Sequence, residues 1–259
     1  MPKPLLHRYP TPQGITAFST TRHGGVGSGT YGEFNITDYC GDAPQAVAAN
    51  LLALAEALQL PPARIVLPHQ THGTVVRQVA EDFFALSPTT RTMLLEGVDA
   101  LITAEPQVCI GVSTADCIPV LLYHPHRRVA AAIHAGWRGT LQRICQQTIA
   151  QLHAAFHIDP TELHAIIGPG ISVDHFEVGQ EVYDQFANAG FDLTETAVWH
   201  DKWHLDLPGI NRQQLIEAGI AAAHIQASGI CTFAHPDDYF SARRLGIASG
   251  RIFTAIVMS

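Results

Sequence analysis

Five short apolar runs, separated by turn-forming residues, fill the middle of the chain. They are four to seven residues long and lie at residues 75–79, 100–103, 108–114, 119–123 and 129–134. Runs of this length with few polar positions are typical of strands that are buried on both faces. The middle of the chain is therefore predicted to form the centre of a β-sheet.

Amphipathic segments on either side of these runs predict helices. One begins with Asp42 as N-cap and Pro44 in its first turn, and another follows Thr140 as N-cap. Apolar residues recur along one face of each helix. They are Val47, Leu51, Leu54, Ala55 and Leu58 in the first helix, and Leu141, Ile144, Cys145, Ile149, Leu152 and Phe156 in the second.

The remaining pattern fixes the fold class and the number of domains. Further strands are expected at 15–20, 164–167 and 251–258, and further helices near 178–189 and at 208–223. Helices mixed with hairpin-forming strands predict an α/β fold around one large mixed sheet. No repeat or low-complexity linker divides the chain, so residues 1–259 are predicted to form a single catalytic domain.

The composition excludes several classes of protein. With 259 residues, 47% of them hydrophobic and 15% charged, the chain can bury roughly three quarters of its unfolded surface. The net charge of −8 and the lack of Lys/Arg runs disfavour long nucleic acid as a partner. The sequence has no apolar stretch of the ~18 residues that a membrane helix needs and no signal-peptide core. We therefore expect a soluble, cytoplasmic protein.

The cysteines and histidines indicate chemistry rather than cross-links. Five cysteines without a CxxC pair fit neither a disulfide framework nor a structural zinc finger, so reduced thiols are expected. Fifteen histidines are many for this length and can serve as metal ligands or as acid–base groups.

A predicted hairpin aligns Cys117 with His134. Cys117 lies in a polar break between two strands, and a two-residue turn at Pro125-His126 would place His124 opposite Arg127 and Cys117 opposite His134. Directly opposed residues have Cβ atoms about 4.5–5.5 Å apart. The thiol and the imidazole could then bind one metal ion or form a Cys–His catalytic pair. A one-residue slip would place them on opposite faces of the sheet.

A loop with two histidines supplies a candidate third ligand. His69 and His72 differ by three positions, so in extended backbone they point to opposite sides and at most one of them is a ligand. Spacing does not decide between them. Two histidines and one thiolate would leave a fourth zinc position open for water or substrate, which is typical of catalytic zinc. Catalytic zinc lowers the pKa of a bound water to about 7.

Other residues are candidates for weaker roles. Arginines that could bind phosphate or carboxylate groups, or serve only as surface charges, are Arg22, Arg138, Arg243 and Arg244. Candidate acid–base carboxylates, which also suit caps and turns, are Asp99 and Asp116. The GxGxxG pattern at 27–32 lacks a following helix and is interpreted as a substrate-covering loop. The HxH unit at 124–126 supplies too few histidine ligands for a multicopper centre and is interpreted as a turn.

Motifs spread over nearly the whole chain resemble those of one bacterial family. They are Ser19-Thr20-Thr21-Arg22-His23-Gly24-Gly25-Val26, His69-Gln70-Thr71-His72-Gly73, Val98-Asp99-Ala100, Thr114-Ala115-Asp116-Cys117-Ile118-Pro119-Val120, His134-Ala135-Gly136-Trp137-Arg138-Gly139, Ile167-Gly168-Pro169-Gly170-Ile171, Phe176-Glu177-Val178-Gly179, His204-Leu205-Asp206-Leu207 and Tyr239-Phe240-Ser241-Ala242-Arg243-Arg244. They are similar to the YfiH or multicopper polyphenol oxidase (laccase) family, also described as purine nucleoside phosphorylase-like enzymes and peptidoglycan editing factors.

The resemblance implies a site and a fold. The family's zinc ligands are the second histidine of its HQxH loop, the cysteine of its ADC motif and the histidine of its HAGWRG motif, which match His72, Cys117 and His134 here. The resemblance thus favours His72 over His69. It also implies a single-domain, layered α/β sandwich with a mixed β-sheet core, similar to toxin domains that have Cys–His catalytic pairs. Residues 245–250 depart from the family's Asp-Gly-x-Thr-Gly run, so no role is assigned to that loop.

The activity implied is phosphorolysis of adenosine, inosine, guanosine or methylthioadenosine, with adenosine deamination as a second reaction. Nucleoside and phosphate are then the small-molecule partners, Zn²⁺ is the cofactor, and copper is the second candidate metal. Arg138 or Arg243 is expected to orient the phosphate. Three alternatives stay open. The first is a metal-free Cys117–His134 hydrolase or amidase that acts on a cell-wall precursor, and the second is a copper polyphenol oxidase. The third is a non-enzymatic partner-binding protein whose fold is stabilised by a metal ion with four protein ligands.

Overall fold

A computed structural model describes residues 2–259 of the chain. The strands are β1 (Leu6–Arg8), β2 (Ile15–Thr20), β3 (Ile65–Val66), β4 (Val76–Gln78), β5 (Ala100–Thr103), β6 (Cys109–Thr114), β7 (Ile118–Tyr123), β8 (Ala130–Ala135), β9 (His164–Ile167), β10 (Glu177–Val178), β11 (Ala197–Trp199), β12 (Trp203–Leu205), β13 (Ile225–Ala227) and β14 (Ile252–Met258). The helices are α1 (Pro44–Leu58), α2 (Glu81–Ala85), α3 (Pro88–Leu95), α4 (Trp137–Leu141), α5 (Ile144–Phe156), α6 (Gln180–Asn188), α7 (Leu207–Glu217) and α8 (Ala242–Leu245).

The strands form two large sheets and one small one. The five-stranded sheet has the order β1-β2-β14-β6-β3, the six-stranded sheet β13-β9-β7-β8-β5-β4, and the small sheet β10-β12-β11. Both large sheets mix parallel and antiparallel neighbours. The predicted mixed α/β fold is confirmed, but the expected large sheet is divided in two, because the chain bends between β6 and β7 and enters a different sheet.

The two large sheets pack face to face, and helices cover their outer faces. Along β7, Leu121 packs between the two sheets and Leu122 packs toward the helices. Helices α5 and α7 cover the six-stranded sheet, and Leu54 of α1 packs on Phe18 and Phe253 of the five-stranded sheet. Burial on both faces explains why these strands read as continuous apolar runs.

The two predicted helix N-caps are wrong. Helix α1 has Ala43 as its N-cap, and the Asp42 carboxylate instead accepts hydrogen bonds from the Asn35 side chain and the Ala43 amide. Thr140 lies inside α4 rather than before a helix. Its hydroxyl is buried and accepts a bond from Asn211 at 3.0 Å, so it is not free to cap. The helix predicted at 208–223 is shorter and ends at residue 217.

The hairpin between β7 and β8 has a longer loop than predicted. The amide of His124 donates to the Val129 carbonyl at 3.0 Å, so four residues rather than two form the loop. Pro119, not Cys117, therefore lies opposite His134. The shift is by two residues, and a two-residue shift leaves every side chain on its predicted face.

Within residues 2–259, no helix is both long enough and apolar enough to cross a membrane.

Candidate metal centre

Three side chains from separate segments meet at one end of the paired sheets. His134 lies on β8, Cys117 directly precedes β7, and His72 lies in the loop between β3 and β4. Their candidate ligand atoms lie within 4.8 Å of one another. The two imidazole rings are edge to face, with centroids 4.9 Å apart. The structure thus brings together the three residues that the sequence analysis singled out, and it leaves His69 outside, where its Nδ1 lies 2.8 Å from Glu96.

Asp99 organises the loop that presents His72. Its buried carboxylate accepts hydrogen bonds from three successive amides, those of Thr71 at 3.3 Å, His72 at 2.9 Å and Gly73 at 2.7 Å. His72 has a φ of 65°, a left-handed conformation that is uncommon for a residue other than glycine. The three bonds to one carboxylate stabilise this conformation.

The same carboxylate orients His134. Nδ1 of His134 lies 2.7 Å from an Asp99 oxygen, and both side chains are buried. Since a carboxylate at this position accepts the Nδ1–H, Nε2 is the ring nitrogen that is left to face Cys117 and His72. A histidine held by a carboxylate on its far side is the usual arrangement for a metal ligand.

Asp116 anchors the residue that precedes Cys117. One of its carboxylate oxygens accepts a bond from the Thr232 hydroxyl and the other accepts one from the Arg243 amide, each at 2.7 Å. Its φ is 90°, so the backbone turns sharply just before Cys117. Both carboxylate oxygens of Asp116 are therefore used to hold the β6–β7 bend against the C-terminal part of the chain.

Gly136 is a site residue that the sequence reasoning missed. A Cβ atom at this position would lie 3.0 Å from the Cys117 sulfur and 3.0 Å from Cδ2 of His72. Those separations are shorter than ordinary van der Waals contact, so a side chain here would crowd the ligands. The signal in the sequence was the glycine two residues after His134. Thr232 was also missed, because nothing in the sequence relates it to Asp116.

Charge pairing governs protonation at the site. Burial alone would raise the pKa of the Cys117 thiol, but the charge of His134 and hydrogen bonds from His134 and His72 outweigh it and lower the pKa below its ordinary value. Burial would lower the pKa of His134, but the Cys117 and Asp99 charges raise it. Bonds from His134 and the loop amides likewise outweigh burial and lower the pKa of Asp99. The protein alone thus favours a thiolate facing an imidazolium.

The candidate arginines differ in how far their side chains are already engaged. Arg22 donates to the carbonyls of Gly32 and Pro236, and Arg244 donates to the Phe233 carbonyl. Arg138 lies two residues after Gly136, is exposed, and stacks on Trp137 at 4.2 Å.

Arg243 is joined to the site through its backbone. Its amide binds Asp116 while its exposed side chain makes a 3.2 Å bond to the Glu177 carbonyl. Of the four arginines, Arg138 and Arg243 therefore have the most direct links to the residues around Cys117.

The donor set fits a single metal ion. Two imidazole nitrogens and one thiolate are ligands that zinc prefers, at metal–ligand bond lengths of about 2.0–2.3 Å. Because the three candidate ligand atoms lie within 4.8 Å of one another, small side-chain rotations would bring all of them within bonding distance of one ion. Cu(I) also accepts thiolate and imidazole. His72 is exposed while His134 is buried, so the cluster is open on the His72 side.

Comparisons with known proteins agree with the fold and the motifs. A profile of the family described as multi-copper polyphenol oxidoreductase laccase matches residues 16–259. A purine nucleoside phosphorylase of Bacteroides thetaiotaomicron is 42% identical, covering 94% of this chain and 92% of that protein. The adenosine deaminase RL5 of an unknown prokaryotic organism is 41% identical, covering 94% of each chain. The crystal structure of the hypothetical protein YfiH from Bacillus licheniformis superposes with a TM-score of 0.89 at 28% identity, covering 95% of this chain and 93% of that one.

Proposed function

Because the chain belongs to the multi-copper polyphenol oxidoreductase laccase family, we propose that it is a zinc-dependent purine nucleoside phosphorylase that also deaminates adenosine. The convergence of His72, Cys117 and His134 within 4.8 Å is the observation on which the proposal rests. It is supported by relatives that are named for these two reactions and are 41–42% identical. The whole chain is proposed to act as one catalytic domain.

The three side chains would hold Zn²⁺ and leave its fourth position free. When bound, such an ion acts as a Lewis acid and lowers the pKa of a bound water to about 7. Asp99 keeps the proton on Nδ1 of His134, so Nε2 stays available as a donor atom. Gly136 leaves room beside the sulfur, and the open His72 side gives the substrate access.

The exposed guanidinium groups of Arg138 and Arg243 are proposed to bind phosphate. In phosphorolysis, an oxygen of inorganic phosphate attacks the anomeric carbon of the ribose, and the purine base leaves with the electrons of the glycosidic bond. A planar guanidinium can bind two phosphate oxygens at once and fix the direction of attack. In deamination, water replaces the amino group of adenosine, and inosine and ammonia are formed.

A metal-free cysteine hydrolase is the second candidate function. The paired pKa shifts, which lower that of Cys117 and raise that of His134, are typical of Cys–His nucleophiles. In this version the Cys117 sulfur attacks an amide carbon of a cell-wall precursor, and His134 donates the proton to the amine that leaves. Water then hydrolyses the resulting thioester, which releases the acid and frees Cys117. Copper polyphenol oxidation, after which the family is named, would require copper at the same three ligands.

Metal content and adenosine turnover separate these functions. The proteins to purify side by side are the wild type, Cys117→Ala, and Cys40→Ala as a matched loss of a thiol outside the cluster. We expect about one zinc per chain. Adenine should be released only when phosphate is present, whereas inosine should form in the absence of phosphate. Cys117→Ala should lose metal and turnover, while Cys40→Ala should keep both.

The opposite results are equally informative. A wild type that is free of zinc and does not convert adenosine contradicts the proposal. Amide hydrolysis that survives exhaustive chelation would point to the cysteine hydrolase, and turnover of a phenol that depends on bound copper would point to the oxidase. The five free cysteines suit a reducing compartment, and we propose the cytoplasm.

A further inference from the structure

We propose that Gln70 is a positioning residue that holds the loop of His72 against the strand leading to Cys117, so that both side chains reach one metal ion. Gln70 lies two residues before His72, and its partner Ser113 lies four residues before Cys117. The inference rests on the metal centre of the proposed function. It gives Gln70 a role in placing the ligands, not in binding the ion.

The edge of β6 beside Ser113 lacks a partner strand. Strand β3 pairs with β6 but ends at Val66. Pro68 follows, and a proline has no amide with which to continue the ladder. The chain then turns to another partner, where the His69 amide donates to the Leu95 carbonyl at 3.1 Å. In the described part of the chain, β6 therefore has no strand beside Ser113 on this side.

The side-chain amide of Gln70 takes the place of the missing strand. Its Oε1 accepts from the Ser113 amide and its Nε2 donates to the Ser113 carbonyl, each at 2.7 Å. A carboxamide carries an acceptor and a donor side by side, so it can satisfy both backbone groups at once. Both residues are buried, and a buried backbone group that is left unpaired is costly. The pairing therefore fixes the position of Gln70 against β6.

This pairing joins two parts of the site that have separate anchors. Asp99 holds the loop of His72, whereas Asp116 holds the bend at Cys117. Gln70 connects that loop to the strand that enters that bend. A zinc ion needs its donor atoms at about 2.0–2.3 Å, so a loop that is free to move away from the bend binds the ion less tightly.

The zinc affinity of Gln70 variants tests the proposal without any substrate. Gln70→Met keeps an unbranched side chain but has no amide, and Gln70→Asn keeps the amide on a chain one methylene shorter. In competition with a chromophoric chelator, each variant should bind zinc roughly 10- to 100-fold more weakly, the range typical of residues that support metal ligands. Gln151→Met, at an exposed position on α5, is the matched control and should keep the wild-type affinity.

A double-mutant cycle separates positioning from a general loss of stability. In a His72→Ala background, Gln70→Met should change the zinc affinity by less than about twofold, because the ligand that Gln70 positions is absent. In a His69→Ala background, which removes the neighbouring histidine outside the cluster, the full loss should remain. Thermal melting of each variant identifies losses of affinity that come from unfolding.

Each contrary outcome overturns the proposal. Wild-type affinity in Gln70→Met or Gln70→Asn would show that the pairing does not support metal binding. A loss of equal size in the His72→Ala background would show that Gln70 supports only the fold. Both results leave the proposed function intact, since the wild type still binds zinc. A wild type that binds no zinc contradicts the proposed function, and this inference with it.

Discussion

The Asp99 carboxylate lies 2.7 Å from Nδ1 of His134 while it also accepts bonds from the amides around His72. One buried side chain thus sets both the direction of an imidazole and the conformation of a loop. Two of the three candidate ligands depend on it. Asp99 does not itself belong to the three-residue cluster, so its role is to position the other residues.

Replacing Asp99 with asparagine is expected to weaken metal binding by roughly 10- to 100-fold, as loss of a carboxylate behind a ligand histidine typically does. The single amide oxygen of asparagine can accept at only one of the two positions that the carboxylate oxygens occupy, so its NH2 group would face either His134 and the His72 amide or the amides of Thr71 and Gly73. Competition with a chromophoric chelator measures the affinity. Asp174→Asn, at an exposed position, is the matched control. Unchanged affinity in Asp99→Asn would show that the bond does not support metal binding.

The metal-free protein should have a reactive thiolate at Cys117. Because its pKa is lowered to about 6, the thiolate forms as the pH rises through that value, well below the range of an ordinary thiol. Alkylation by iodoacetamide, followed by mass spectrometry of the Cys117 peptide, should therefore show a midpoint near pH 6. In His134→Gln the midpoint should move upward. Burial raises the pKa of Cys40, so that thiol is the internal control and should react only at higher pH.

Gly136→Ala is expected to disturb the metal site without unfolding the protein. The added methyl group would lie 3.0 Å from both the Cys117 sulfur and a His72 ring carbon, so one ligand must move. We expect a loss of zinc affinity of at least about tenfold, which corresponds to 1.4 kcal/mol. Gly190→Ala is the control: Gly190 has a φ of 79°, so alanine there strains the backbone, but the added methyl group would lie in open space. That control should lose some stability and keep its metal affinity.

Alanine variants of Arg138 and Arg243 test the proposed phosphate site. Loss of a guanidinium that binds phosphate should raise the KM for phosphate by roughly tenfold or more. The rate of adenosine deamination, which uses no phosphate, should change much less. Arg212→Ala is the control at an exposed position. If both variants retain the wild-type KM for phosphate, neither arginine binds it.

The sequence predicted the longer buried strands well, missed short ones such as β3 and β10, and gave the wrong hairpin register, for separate physical reasons. Runs such as residues 100–103 and 164–167 are apolar on both faces because they lie between layers, and they match β5 and β9. The register depended on a loop whose length is set by His124, since its Nδ1 accepts the amides of His126 and Arg127. A side chain that binds its own loop leaves no periodic pattern.

The candidate site shows a similar division. The predicted direct pairing of Cys117 with His134 was wrong, but the two residues still lie close together, because a two-residue error in register preserves the face of the sheet. His72 was favoured over His69 only through family resemblance, because its left-handed backbone depends on the buried Asp99 carboxylate. The contact of Asp116 with Thr232 joins residues 116 positions apart, and no local pattern indicates it.

The position of these contacts along the chain bears on how the protein is synthesised. All three candidate ligands lie within the first 134 residues, yet Asp116 is anchored by Thr232 and by the amide of Arg243. Strand β14, at the C-terminal end, lies between β2 and β6 in the centre of its sheet. The candidate ligands His134 and Cys117 lie on or next to β8 and β7 of the other large sheet. During synthesis, the ligands are therefore in solution long before the five-stranded sheet that packs against theirs can be completed. Stable metal capture should therefore wait until Thr232, Arg243 and β14 have been synthesised and are in place.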